Sequence, residues 1–209
     1  MKHDFKYVTK NEARPYKEKL EKIIHELQDL VRDDFTFSYR FVGSSARNMI
    51  TYDHESNVGF DFDVNIYPND DDEEFSAQEI KCILMNALNS IVTKYGYDYC
   101  EDSTRVITIK VKDTGHSKIL HSCDFAIVYD CEDGSQQYIR FNKSQNSYTW
   151  EYQEKGFKGL NEKTQKIKQS KLWNEVKKTY LYKKNYNTND NKHSRSIYGE
   201  TINEIYNRI

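Results

Sequence analysis

Apolar residues recur three and four apart at Leu20, Ile23, Ile24, Leu27, Leu30 and Val31, which predicts an amphipathic helix over 12–33, with Pro15 tolerable only near its first turn. Residues 35–42 alternate and are rich in aromatics, the pattern of a strand. That strand runs into Gly43-Ser44-Ser45, a turn whose serines can cap a short following helix. A second strand is expected over 59–67, closed by Pro68 and the acidic run 69–74. Ser76 and Glu79 then have the spacing of a capping box. Behind them Ile80, Ile83, Leu84, Ala87, Leu88, Ile91 and Val92 form a helical stripe that stops near Gly96.

Further strands are predicted over 104–111, 119–129 and 137–141. Asp113-Thr114-Gly115 reads as a turn between the first two, and Asp133-Gly134 as a hairpin signal before the third. From about Asn146 the pattern is read as helical, with Ile167, Leu172, Val176 and Tyr180-Leu181-Tyr182 as packing positions. Residues 185–193 are a polar loop, and 196–206 a last helix. The order implies an α+β fold: a β-sheet core flanked by helices over 1–145, and a mainly helical region over 146–209 packing on it or continuous with it.

Within this pattern one strand is odd. Asp61 and Asp63 sit in the apolar run Phe60–Val64, two residues apart, so both point to one face while Phe60, Phe62 and Val64 point to the other. Two adjacent carboxylates repel, and burial raises the pKa of one of them unless a cation lies between. Mg²⁺ takes oxygen ligands of this kind, usually one or two carboxylates with phosphate oxygens and water. A third acid, Asp124, is flanked by apolar residues in a later strand; if that strand neighbours the first, all three carboxylates meet. Three carboxylates around two metal ions suit in-line phosphoryl or nucleotidyl transfer. The Gly-Ser turn adds backbone N–H groups that can approach phosphates, and the chain has no GxxxxGK[ST] loop to suggest a P-loop enzyme.

The set Gly43-Ser44, Asp61-Phe62-Asp63 and Asp124 resembles the nucleotidyltransferase superfamily with the DNA polymerase β-like fold, over roughly residues 20–130. The resemblance implies a mixed β-sheet nucleotidyltransferase core. It also implies Mg²⁺-dependent transfer of an NMP from an NTP, ATP above all, to an acceptor hydroxyl with release of pyrophosphate. By the same resemblance Gly43 and Ser44 would hold the nucleotide triphosphate; Ser45 and Arg47, in the same turn, are read from their place as further nucleotide contacts, Arg47 reaching the phosphates from the turn. Asp61, Asp63 and Asp124 would be both catalytic and the ligands of two Mg²⁺ ions, with Mn²⁺ as a substitute. The chain departs from many members in reading Ser45-Ala46-Arg47-Asn48 after the turn and in having Phe60 before the first aspartate. These departures leave the acceptor open among a protein side chain, a small molecule, another nucleotide and a nucleic-acid 3′ end. An alarmone-type pyrophosphokinase, a non-catalytic nucleotide-binding module such as an antitoxin, and a purely structural domain are the competing classes.

Composition and charge add less. A chain of 209 residues with 14% aromatics can build a sizeable core. The net charge of −2 hides an asymmetry. Residues 48–80 hold ten acids and no Lys or Arg, whereas 155–195 hold twelve Lys or Arg against three acids, a solvated helix face or a wall facing phosphates. The four cysteines have no zinc spacing and read as reduced residues in or near the core. With no signal-peptide run at residues 1–10 and no stretch of membrane-span length, the expectation is a cytoplasmic protein without a membrane partner. Lesser candidates are Arg105 in the cleft, Tyr148 and Trp150 stacking on a base, and Lys143, Lys163, Lys166 and Lys171 on phosphates. His121 is read as structural, and the run 70–74 as a solvated loop that lacks the spacing of a calcium site.

Overall fold

The computed structural model describes residues 3–53, 56–70, 73–153, 157 and 159–209. The elements in chain order are β1 (Phe5–Tyr7), α1 (Lys10–Leu30), β2 (Thr36–Val42), α2 (Gly43–Ala46), β3 (Thr51–Asp53), β4 (Phe60–Asn69), α3 (Ala77–Ile91), β5 (Glu101–Asp102), β6 (Ile107–Asp113), β7 (Lys118–Asp130), β8 (Gln136–Asn142), β9 (Ser147–Tyr152), α4 (Leu160–Gln169), α5 (Trp173–Tyr186) and α6 (Ser194–Tyr206). They fall into two compact units, one of Val8–Ile50 with Asn57–Gln153, the other of Met1–Tyr7, Thr51–Ser56 and Glu154–Ile209.

The larger unit is a seven-stranded mixed sheet in the order β2-β4-β7-β6-β5, with β8 joined to the far end of β7 and β9 to β8. Strands β4 and β7 are parallel neighbours, as a crossover through α3 permits, and every other pairing in this sheet is antiparallel. Both long helices start on capping boxes, Thr9 with Glu12 for α1 and Ser76 with Glu79 for α3. Their apolar faces join one sheet face in a single core: Leu20, Ile23, Ile24 and Leu27 from α1 and Ile80, Leu84 and Leu88 from α3, with Phe62, Val64 and Ile66 from β4 and Cys123, Phe125 and Ile127 from β7. Alternation along each strand therefore sends the intervening residues of β4 and β7 to the face without these helices.

The expected helical pattern from 146 is corrected at its start, because Ser147–Tyr152 is a strand paired along β8. Pro68 does not end β4 but lies opposite Phe37, past Ile66 where pairing with β7 has stopped and one side of the strand is an edge. The acidic run 69–74 is described except at 71 and 72. Its Asp70 carboxylate accepts backbone bonds from Glu74 and Phe75, and Glu73 and Glu74 are exposed.

The smaller unit has α4, α5, α6 and the antiparallel pair β1–β3. The amide of Asn185 clasps Phe5 from both sides, accepting from its N–H at 2.7 Å and donating to its carbonyl at 3.2 Å. The buried Lys184 amine donates to Thr51 Oγ1 at 2.7 Å and lies over the Phe5 ring. These bonds tie a three-residue strand to α5 that pairing alone would hold poorly.

Candidate active site

The face of β4 and β7 opposite α1 and α3 carries the three aspartates. In the parallel register Asp61 stands beside Ser122, and Asp63 beside Asp124. One carboxylate oxygen from each of Asp61, Asp63 and Asp124 lies within 4.8 Å of the others. Phe60, Phe62 and Val64 face the core, as the alternation requires.

Each carboxylate has a fixed donor. Ser122 Oγ donates to Asp61 Oδ1 at 2.8 Å, and Thr108 Oγ1, from β6, donates to Asp124 Oδ1 at 2.6 Å. The backbone of Ser44 hydrogen-bonds Asp63. These bonds do not offset burial and crowding. Burial first, then the charges of Asp124 and Asp63, pushes the Asp61 carboxyl up to about 7. Asp63 is raised by burial and by Asp124, against the opposing pull of the Arg47 guanidinium. Asp124 is raised chiefly by burial, against its Thr108 bond and the Lys110 amine. Three half-buried oxygen ligands that repel one another fit a hard divalent cation, whose charge removes the penalty they otherwise carry.

The Gly43 turn abuts this cluster. Gly43 has φ +63°, and a Cβ there would sit 1.9 Å from Asp63 Oδ2. Glycine is thus required twice, for the left-handed backbone and for the space the carboxylate fills. Contrary to the expected cap, the serines lie within α2, which has no side-chain cap; Ser45 Oγ turns back to the Val42 carbonyl at 2.9 Å.

The lesser candidates scatter. Arg105 is exposed and lies over the Tyr138 ring. Tyr148 is stacked on Phe141 at 4.8 Å, and its hydroxyl donates to Asp102 at 2.5 Å. Trp150 lines a separate 650 Å³ cavity with Tyr129, Phe75 and the acidic loop before α3. Lys143 and Lys171 are exposed, while Lys163 donates to Asn203 and Lys166 reaches the Tyr206 hydroxyl. His121 is buried at 3% exposure, its Nε2 3.0 Å from the Tyr97 hydroxyl and its ring stacked on Phe60. Among the residues the sequence did not mark, Ser122, Thr108 and Lys110 share the acidic face. Ser122 precedes Asp124 by two and was legible by alternation; Thr108 needs the register of β6 on β7.

No family model matches this chain, and no curated protein matches it in sequence. Several solved structures match it in shape. Vibrio cholerae DncV in its GTP-bound form is 15% identical, covers 95% of this chain and 52% of that one, and superposes with a TM-score of 0.58. The V. cholerae DncV cyclic AMP-GMP synthase in complex with the linear intermediate 5′ pppA(3′,5′)pG is 12% identical, over 88% and 61%, with a TM-score of 0.55. The chain has the DNA polymerase β-like nucleotidyltransferase fold. The CD-NTase CdnG of Bradyrhizobium diazoefficiens in complex with GTP shares this fold at 11% identity, over 85% and 44%, with a TM-score of 0.50. The chain thus spans only 44% to 61% of the length of these three. Among the described residues, no helix of this nucleotidyltransferase fold is long and apolar enough to cross a membrane.

Proposed function

We propose that the protein is a Mg²⁺-dependent nucleotidyltransferase that moves an NMP from an NTP, ATP first, to an acceptor hydroxyl and releases pyrophosphate. The observation that carries this reading is the convergence of Asp61, Asp63 and Asp124 within 4.8 Å, beside a left-handed glycine turn against which the Asp63 carboxylate packs. Asp61 and Asp63 would hold two Mg²⁺ ions, with Asp124 completing the set for one of them. Bound there, Mg²⁺ would lower the pKa of the attacking hydroxyl and offset the charge on the leaving pyrophosphate. Gly43, Ser44 and Ser45 border the triphosphate, and Arg47, whose charge already reaches Asp63, turns to the phosphates when they enter. The acceptor oxygen bonds to the α-phosphorus, the α–β anhydride bond breaks, and Asp124 receives the hydroxyl proton. A nucleotide 3′ hydroxyl is the acceptor to test first, because DncV was solved with a linear dinucleotide intermediate. The residues that hold these groups act in the cytoplasm on this reading.

The test is incubation with each labelled NTP and Mg²⁺, alone and with cell extract, followed by identification of products. Pyrophosphate with a labelled nucleotidyl product is expected, lost in Asp61→Ala and Asp63→Ala. Release of AMP with a pyrophosphorylated product would instead identify a pyrophosphokinase. Calorimetry showing no binding of NTP with Mg²⁺ would overturn the reading.

A further inference from the structure

Two hydroxyls outside the aspartate set bear on how that set is held. Thr108 is 7% exposed on β6, directly across from Asp124 in the antiparallel register. Ser122 is directly across from Asp61 in the parallel register. Each is a cross-strand neighbour of one carboxylate, and each spends its single proton on that carboxylate's Oδ1. Among the described residues Asp63 has no such hydroxyl; its donor is the Ser44 backbone, and Gly43 packs against its Oδ2.

A carboxylate turns easily about its last torsion, which has a broad, two-fold profile. Three like charges this close relieve repulsion most cheaply by swinging apart. A hydroxyl donor on one oxygen opposes that swing and leaves the second oxygen of the same carboxylate free. Thr108 suits the task better than a flexible side chain would, because its β-branch restricts the first torsion and a strand sets its direction. Asp61 has a second donor in the Phe62 backbone, whereas Thr108 is the one hydrogen-bond donor described for Asp124.

We propose that Thr108 and Ser122 are positioning residues. They keep Asp124 and Asp61 converged before a divalent cation arrives, with Thr108 the more important. This rests on the reading of the three aspartates as cation ligands, and the experiment separates the two. Mn²⁺ binding is followed by electron paramagnetic resonance on the protein without nucleotide, for wild type, Thr108→Val, Thr108→Ser and Ser122→Ala. Thr108→Val keeps the shape and removes the donor; loss of such a partner weakens metal affinity about 10- to 100-fold. Thr108→Ser, which keeps the donor without the β-branch, recovers most of the wild-type affinity, and Ser122→Ala shows a smaller loss than Thr108→Val because the Phe62 amide remains. Wild type that binds Mn²⁺ with Thr108→Val and Ser122→Ala binding equally well overturns the inference and leaves the ligand reading standing. Wild type that binds no Mn²⁺ removes both. Thr108→Ser as weak as Thr108→Val would also overturn it, because packing and not the hydroxyl would then be responsible. If Thr108→Val does not fold, the half-buried Ser122→Ala with Thr108→Ser still decides: Ser122→Ala at wild-type affinity counts against the proposal.

Discussion

Replacing Gly43 with alanine tests whether the turn and the aspartate pair are built as one piece. Two separate costs follow from the structure. The first is conformational, since a left-handed residue with a Cβ costs about 1–2 kcal/mol, and Gly43 stands at φ +63°. The second is steric. The new Cβ would lie 1.9 Å from Asp63 Oδ2, against about 3.4 Å for ordinary contact, so the carboxylate must retreat by about 1.5 Å. Retreat breaks its bond with the Ser44 backbone and moves it toward Asp124 or out of the cluster. Overpacking of this kind costs about 1–3 kcal/mol, so the two costs together come to about 2–5 kcal/mol. Asp63→Ala removes the oxygen, and the Asp63 Cβ at 3.2 Å then needs a shift of only a few tenths of an ångström. In that background Gly43→Ala should cost little beyond the backbone strain of about 1–2 kcal/mol. Urea denaturation of the wild type, both single variants and the double variant at one pH, without divalent ions, yields the coupling energy. A value of about 1–3 kcal/mol is expected. Equal costs in the two backgrounds would refute the placement of Asp63 against the turn, whatever the protein catalyses.

Two further predictions concern residues beneath the site. Burial holds His121 at about 4, below its ordinary 6.5, with the Lys19 charge adding to the effect. Its surroundings, Tyr16, Phe60 and Tyr97, are uncharged aromatics, and Nδ1 has no partner among the described residues. The unfolded chain therefore binds the proton first, and stability present above pH 6.5 is lost as pH falls toward 4, by about 3 kcal/mol in all. His121→Phe should flatten the stability-versus-pH curve across that window in urea titrations, and an unchanged slope would contradict the assignment. Lys81, 1% exposed, pairs with Asp102 at 2.7 Å and donates to the Ser103 carbonyl at 3.1 Å. Lys81→Met strands the Asp102 charge and should cost about 3 kcal/mol, the lower end for a broken buried pair because the Tyr148 hydroxyl still donates to Asp102. Adding Asp102→Asn should recover part of that loss, and a Lys81→Met protein as stable as wild type would show the pair to be incidental.

The sequence was most informative where one residue type recurs at one period. The stripe after Ser76 became α3 on its predicted capping box, and the alternation through Phe60–Val64 separated core from acids correctly. It was least informative where elements are too short to show a period. The strands Phe5–Tyr7 and Thr51–Asp53 have three residues each and exist through bonds from α5 at the other end of the chain. The misread 147–152 segment did alternate, with Tyr148, Trp150 and Tyr152 against Thr149 and Glu151, but the lysine-rich helical pattern that follows it dominated.

The site itself divides along the same line. Asp61 and Asp63 were readable because they belong to one strand, and local geometry alone sets their common face. Asp124 could be nominated, but its meeting with Asp63 depends on the parallel register of β4 on β7, which no local pattern encodes. A slip of one residue would turn Asp124 toward the α1–α3 core and Cys123 toward the acids. What prevents the slip is apolar: Cys123, Phe125 and Ile127 are buried at alternate positions in the same core as Phe62, Val64 and Ile66, and the wrong register would expose all three. Gly59 adds a steric lock at the start of β4, since a Cβ there would lie 2.0 Å from the Leu120 carbonyl oxygen. The carboxylates repel and contribute nothing to this alignment. They converge because the core on the other side of the sheet leaves them no alternative, and the hydroxyls of Thr108 and Ser122 then hold each one in place.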